Sequence, residues 1–139
     1  PKNYDNLFDN DLMLTDWLGQ FSKEKDITYL RSWLGRMLFS GEDAIKKAKV
    51  LSGGEKVRCM FSKMMLESGN VLLMDEPTNH LDLESIQALN NGMKNFKGCM
   101  LFTSSDQEIL STVANRIIVI NEKKEFDKQI TYDEFIEKY

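Results

Sequence analysis

The chain has 139 residues, enough for one ordinary domain with a sizeable core, and its 42% hydrophobic and 29% charged composition is that of a folded globular protein, not a disordered one. A net charge of -4 offers no overall attraction for nucleic acid, which needs a basic excess at least locally. No apolar run approaches the roughly twenty residues that span a bilayer and no signal-peptide pattern opens the chain, so a soluble protein with no membrane partner is expected.

Residues 1–11 are polar, rich in Asn and Asp, and read as a loop. From Leu12 the pattern becomes helical, with Leu14, Trp17, Leu18 and Phe21 at helical spacing, before a charged break at Ser22 to Asp26. Asp26 caps a second helix that carries Ile27, Leu30, Leu34, Met37 and Leu38 on one face. Ser40 and Asp43 give a further capping signal for a short basic helix through Lys49. Together these elements predict a small helical lobe.

Leu51 to Glu55 reads LSGGE. Ser52 with Glu55 three residues on forms a capping box, and Val57, Phe61, Met64 and Met65 mark the buried face of a helix running to about Ser68. A capping box alone is common and means only a well-started helix. Gly53 and Gly54 in its first turn cost about 1 kcal/mol each against alanine, a penalty that calls for a reason. Close approach of an anionic ligand to bare backbone N–H groups at a positive helix terminus supplies one, so the turn reads as a phosphate contact.

Val71 to Asp82 reads VLLMDEPTNHLD. Val71 to Met74 is a short continuous apolar run, as in a strand of a parallel sheet buried on both faces. Asp75 and Glu76 then sit where the strand leaves the sheet, and Pro77 keeps Glu76 out of the helical region. Adjacent carboxylates at an apolar strand mouth repel unless a cation or a positioned water uses them. A bare Asp-Glu pair is more often a solvated turn, but the twelve-residue string is far more specific.

Asp82 caps a helix from Leu83 to about Phe96, with Ile86, Leu89, Met93 and Phe96 facing inward. Cys99 to Phe102 is a second apolar run that ends in Thr103, Ser104, Ser105 and Asp106, the edge of a further site. A helix at Gln107 to Ala114 leads to a third run, Ile117 to Ile120. Strand alternating with helix predicts an α/β fold with a parallel sheet, and sites at the C-terminal strand ends. A turn at Asn121 to Lys124, an extended stretch from Glu125 to Ile130 and a helix capped by Thr131 complete the chain. Cys59 and Cys99 lack metal-ligand spacing and read as reduced core thiols, which implies a cytoplasmic protein.

LSGGE followed by VLLMDEPTNHLD resembles the ATP-binding-cassette ATPases, and PTNHLD resembles their F subfamily, soluble paired cassettes that work on ribosomes. RSWLGRMLFSGE and ITYDEFIEKY resemble the second cassette of such proteins, so the resemblance extends over essentially the whole chain. It implies part of a P-loop NTPase fold, with residues 1–50 as the helical subdomain following the Q-loop, 51–121 as the signature, Walker B and switch-loop part of the ATPase core, and 122–139 as a C-terminal extension. It also implies ATP and Mg²⁺ as ligands, a second cassette of the same protein as partner, and the ribosome as a further one. Ser52, Gly53, Gly54 and Glu55 match the signature that meets the γ-phosphate of ATP held by the facing cassette. Asp75 matches the Walker B aspartate that orders the Mg²⁺ hydration shell, and Glu76 the glutamate that positions the attacking water. Leu81 and Asp82 fall in the D-loop.

Three departures qualify the resemblance. No G-x-x-x-x-G-K-[ST] occurs, and none of the eight glycines precedes a lysine, so the phosphate-binding half is absent from this sequence and the chain alone is expected to be inactive. LFTSSD aligns with the switch-histidine segment, placing Ser105, which carries no positive charge, where the histidine stands. Pro1 and Lys2 resemble the Pro-Gln of the Q-loop with lysine in place of glutamine, so the chain is expected to begin inside a longer protein, with an incomplete sheet and Ile117 to Ile120 displaced or paired abnormally. Two other readings are the C-terminal head lobe of a chromosome-maintenance or Rad50-like ATPase, disfavoured by the lack of a heptad run before LSGGE, and a non-catalytic binding module derived from a cassette.

Overall fold

A computed structural model describes residues 4–67, 69–121 and 125–139. The correspondence drawn for Pro1 and Lys2, the far end of the signature helix at Ser68, and all but the first residue of the Asn121 to Lys124 turn lie outside the described residues.

Helix α1 spans Leu14–Gly19 and places Leu14, Trp17 and Leu18 in the core, each fully buried. The Trp17 indole stacks on Phe8 at 4.8 Å and donates its Nε1–H to the Leu7 carbonyl at 2.7 Å, which helps to pin the polar opening segment. That segment contains a short 3-10 turn at Asp5–Leu7, where the sequence suggests only a loop. Helix α2, Ile27–Arg36, begins at Asp26, whose side chain accepts from the Tyr29 N–H. It stops before Met37 and Leu38, since Leu38 takes a left-handed backbone with φ of 66°. The basic helix expected from Ser40 to Lys49 is two 3-10 turns instead, Gly41–Ile45 and Ala48–Val50, and Ser40 makes no side-chain cap.

Helix α3, Gly53–Glu67, packs against α1, α2 and the later α4, Leu83–Asn95. Neighbours on three sides explain why its buried arc is wider than a single stripe: Arg58, Cys59, Met60, Phe61, Ser62 and Met65 are all buried, while Val57 and Met64 are only half-buried. Among the inward positions expected on α4, Leu89 and Met93 are buried, with Ile86 and Phe96 half-buried.

Strand β1, Val71–Asp75, pairs in parallel with β2, Cys99–Thr103, in a register that runs from Val71 opposite Cys99 to Asp75 opposite Thr103. Side chains alternate across this ribbon. Leu72, Met74, Met100 and Phe102 pack on the core, whereas Val71, Leu73, Cys99 and Leu101 are exposed, Leu73 at 73%. The expectation of a strand buried on both faces is therefore corrected: among the described residues the helices cover one face only. Cys99 is likewise not a core thiol, because its position in the alternation turns it to the open face, while Cys59 on α3 is buried.

Helix α5, Gln107–Val113, follows β2, capped by Asp106. Strand β3, Ile117–Ile120, does not continue the parallel sheet. It pairs antiparallel with β4, Glu125–Lys128, across a short connection of the length that favours a hairpin. Helix α6, Tyr132–Lys138, begins at Thr131 with a complete capping box and sets Phe135 on Phe126 at 5.2 Å. None of the described helices is long and apolar enough to cross a membrane.

The N-termini of α3 and α4 meet. Ser52 Oγ accepts from the Glu55 N–H at 3.2 Å, as a cap should, but the Glu55 carboxylate turns to Lys46 at 3.2 Å. Asp82 caps α4 through Oδ1, which accepts from the Ser85 N–H at 2.8 Å. A Cβ on Gly54 would lie 2.5 Å from Asp82 Oδ2 and 3.2 Å from Ser85 Oγ, while one on Gly53 would meet nothing within 4 Å. The two glycines thus have different reasons: Gly54 is closed by Asp82, and Gly53 is open. Gly54→Ala should lower stability by about 1–3 kcal/mol through overpacking and loss of the cap, and Gly53→Ala should leave it unchanged or raise it by up to about 1 kcal/mol, as read from urea unfolding.

The Ser85 hydroxyl and backbone N–H both hold the Asp82 carboxyl below its usual range, and Arg58 nearby adds to the effect. The hydroxyl also lies 3.4 Å from the Gly54 carbonyl, a neutral acceptor and so a weaker one than the carboxylate. A depressed folded-state pKa stabilises the fold above the unfolded value of about 3.9 and is lost as pH falls through the folded value. Asp82→Asn, which can still cap, should therefore show a smaller loss of stability than the parent between about pH 6 and pH 2, measured as the shift in urea midpoint.

Candidate active site

The parallel register puts Asp75 and Thr103 side by side at the C-terminal ends of their strands, both on the open face. Thr103 Oγ1 donates to Asp75 Oδ1 at 2.6 Å and accepts from the Glu76 N–H at 2.9 Å. The same N–H lies 3.2 Å from the Thr103 carbonyl. Two residues further along the exit of β2, Ser105 donates both its backbone N–H, at 3.1 Å, and its hydroxyl, at 3.2 Å, to Glu76 Oε2. Both acids that end β1 are gripped by the chain leaving β2.

Glu76 itself has φ of 43°, in the left-handed region, at a cost of order 1–3 kcal/mol for a side-chain-bearing residue. Pro77 disfavours the right-handed helical region for it, and the contacts to Thr103 and Ser105 hold it in place. Beyond it the chain folds tightly, with Asn79 N–H on the Glu76 carbonyl at 3.2 Å, Leu81 N–H on the Thr78 carbonyl at 3.2 Å, Thr78 buried and His80 left-handed at φ of 64°. Seven residues therefore carry the chain from Glu76 to Asp82, and so from the strand ends to the signature turn.

The predicted site residues fall into two groups. Asp75, Glu76 and Ser105 meet at the strand ends. Ser52, Gly53, Gly54 and Glu55 start α3, with Asp82 packed against Gly54. Two contributors, Ser85 and Arg58, escaped the sequence reading, and Thr103 stood in it only as one polar residue at the edge of a site. Thr103 bridges the two acids. Ser85 joins Asp82 to Gly54. Arg58 lies buried beneath the signature turn with its guanidinium 4.8 Å above Phe39, 3.3 Å from Glu84 and 3.4 Å from the Met37 carbonyl, its Nε without a partner. An arginine on the apolar face of a helix was the available signal for the last; the others need strand register and helix packing.

The strand-end donor set suits Mg²⁺ accompanied by a nucleotide better than a self-sufficient metal centre. Among the described residues no three His, Cys, Asp or Glu side chains cluster as ligands, and Mg²⁺ characteristically takes one or two carboxylates, keeps several waters and completes its shell with substrate phosphates. Asp75 and Glu76 match that requirement. A phosphate cradle is not present in the sequence, so the nucleotide itself needs further residues to hold it.

The chain is similar to known proteins in sequence and fold. The ABC transporter family model matches residues 2–79. An uncharacterized ABC transporter ATP-binding protein of Bacillus subtilis, YkpA, is 60% identical over 139 residues, 99% of this chain and 26% of that protein. The energy-dependent translational throttle protein EttA of Haemophilus influenzae is 43% identical over 88 residues, covering 63% of this chain and 16% of that protein. ABC transporter F family member 2 of Arabidopsis thaliana is 35% identical over 109 residues, 78% of this chain and 16% of that protein. The solved structure of an RNase-L inhibitor overlays with a TM-score of 0.64 at 20% identity, over 94% of this chain and 26% of that one, a likeness of fold. The chain spans about a quarter or less of the length of these proteins. By motif, family match and fold, it belongs to the ABC transporter family of ATP-binding proteins, with F-family members among its relatives.

Proposed function

We propose that this chain supplies the Walker B and signature part of an ATP-hydrolysing site in a longer F-type protein of two cassettes, with residues 1–50 as its helical subdomain, 51–121 in its ATPase core and 122–139 as an extension. The observation that carries this reading is the convergence of the Ser105 N–H and hydroxyl on the Glu76 carboxylate, beside an Asp75 held by Thr103. A solvated acidic turn has no need of such a grip.

In this reading Glu76 accepts a hydrogen bond from a water and draws its proton as the water oxygen forms a bond to the γ-phosphorus. The bond from that phosphorus to the β,γ-bridging oxygen breaks, giving ADP and phosphate. A carboxylate has about four lone-pair sites, so two bonds from Ser105 leave capacity for the water. Asp75 would hold Mg²⁺, which would supply positive charge against the phosphates. Ser105 occupies the histidine's place but orients Glu76, with no charge to offer the γ-phosphate.

The signature turn serves a second nucleotide, across an interface with the partner cassette. Its open Gly53 suits close approach of phosphate oxygens to the N-terminus of α3, and Ser52 and Glu55 flank it, with Glu55 tethered to Lys46. Asp82, at the end of the turn from Glu76, lies between the two sites. The name of the throttle protein EttA and the F-family relative support a role in translation, with the ribosome as partner and the cytoplasm as location.

The test is steady-state ATP hydrolysis by the full-length protein against its Glu76→Gln variant. A fall in kcat of about 10²- to 10⁴-fold with ATP binding retained is the expected result. Equal rates would reject the hydrolytic reading and favour a non-catalytic module.

A further inference from the structure

We infer that Thr103 is a positioning residue for hydrolysis, acting through both Asp75 and Glu76; the inference rests on the function proposed above. Its hydroxyl has one proton and two lone pairs. The proton goes to Asp75 Oδ1 at 2.6 Å, a short charge-assisted bond, and a lone pair takes the Glu76 N–H at 2.9 Å. One side-chain oxygen therefore fixes the carboxylate assigned to the metal waters and the backbone that carries the carboxylate assigned to the attacking water.

Two features make this more than a strand-end contact. The register sets Thr103 directly opposite Asp75 on the open face of the ribbon, so the bond needs no loop rearrangement and is supported by the ladder beneath it. Glu76 is also held in a left-handed conformation that an unsupported residue would leave. Besides the Thr103 carbonyl at 3.2 Å, the hydroxyl is the partner that meets its N–H, at the shorter distance. Valine has nearly the same shape and high strand propensity but no oxygen, so it removes the bridge and keeps the packing. Serine keeps the oxygen.

Thr103→Val, Thr103→Ser and Glu76→Gln are compared in the full-length protein by kcat and KM for ATP, and by hydrogen exchange at the Glu76 amide. Thr103→Val should lower kcat by roughly 10- to 100-fold with KM for ATP little changed, and Thr103→Ser should recover most of that loss. The Glu76 amide, having lost its nearer acceptor, should exchange about 10-fold faster in Thr103→Val without nucleotide, and at the parent rate in Thr103→Ser. A parent-like kcat or amide exchange in Thr103→Val, with Glu76→Gln inactive, overturns the role of Thr103 and leaves the proposed function standing. Equal losses in the valine and serine variants also overturn it, since the hydroxyl would then not matter. An active Glu76→Gln overturns the proposed function and the inference together.

Discussion

The parallel pairing of β1 with β2 fixes where the chemistry can occur. A parallel ladder aligns two strands so that both leave the sheet at the same end, and here the alignment sets Asp75 against Thr103 and brings Ser105 over Glu76. A slip of one residue would send Asp75 to the helix-covered face and Met74 to the open one. Burial opposes that slip: Met74 lies in the core, and Leu72, Met100 and Phe102 pack against it. The helical core is thus the reference against which the acids are aimed.

A second joint depends on the first. The turn from Glu76 to Asp82 is short and tightly bonded, so the position of the strand ends sets the position of Asp82, and Asp82 in turn closes the space around Gly54. Signature and Walker B residues are far apart in sequence and serve different nucleotides in the proposed assembly, yet a steric contact ties them within one chain. Arg58, itself buried, adds a tie to the exposed Glu84 on α4.

Much of this was legible in the sequence because the signals are local. Caps at Asp26, Asp82 and Thr131 are side chains bonding to their own backbone a few residues away, and they form as expected. The motif residues could be placed at strand ends and a helix start for the same reason. Non-local features were harder. Val71 to Met74 is apolar on both faces, so the sequence pointed to two covering layers where the described residues provide one. Ile117 to Ile120 has the composition of a parallel strand, yet it pairs antiparallel with β4, in line with the expectation that it would be displaced or paired abnormally. The Ser40 to Lys49 segment carried a cap signal yet forms two 3-10 turns. Thr103 looked like one polar residue among several, since its role exists only once the register is known.

The opposite fates of the two cysteines give the fold a built-in reporter. Burial among the α3 neighbours pushes the Cys59 thiol up to about 12, leaving almost no thiolate at neutral pH, whereas Cys99 stands exposed at the start of β2. A maleimide dye would therefore label this segment at a single position without mutagenesis. That position lies on the strand whose far end grips both acids, so the dye would report on the ribbon without touching the site it carries.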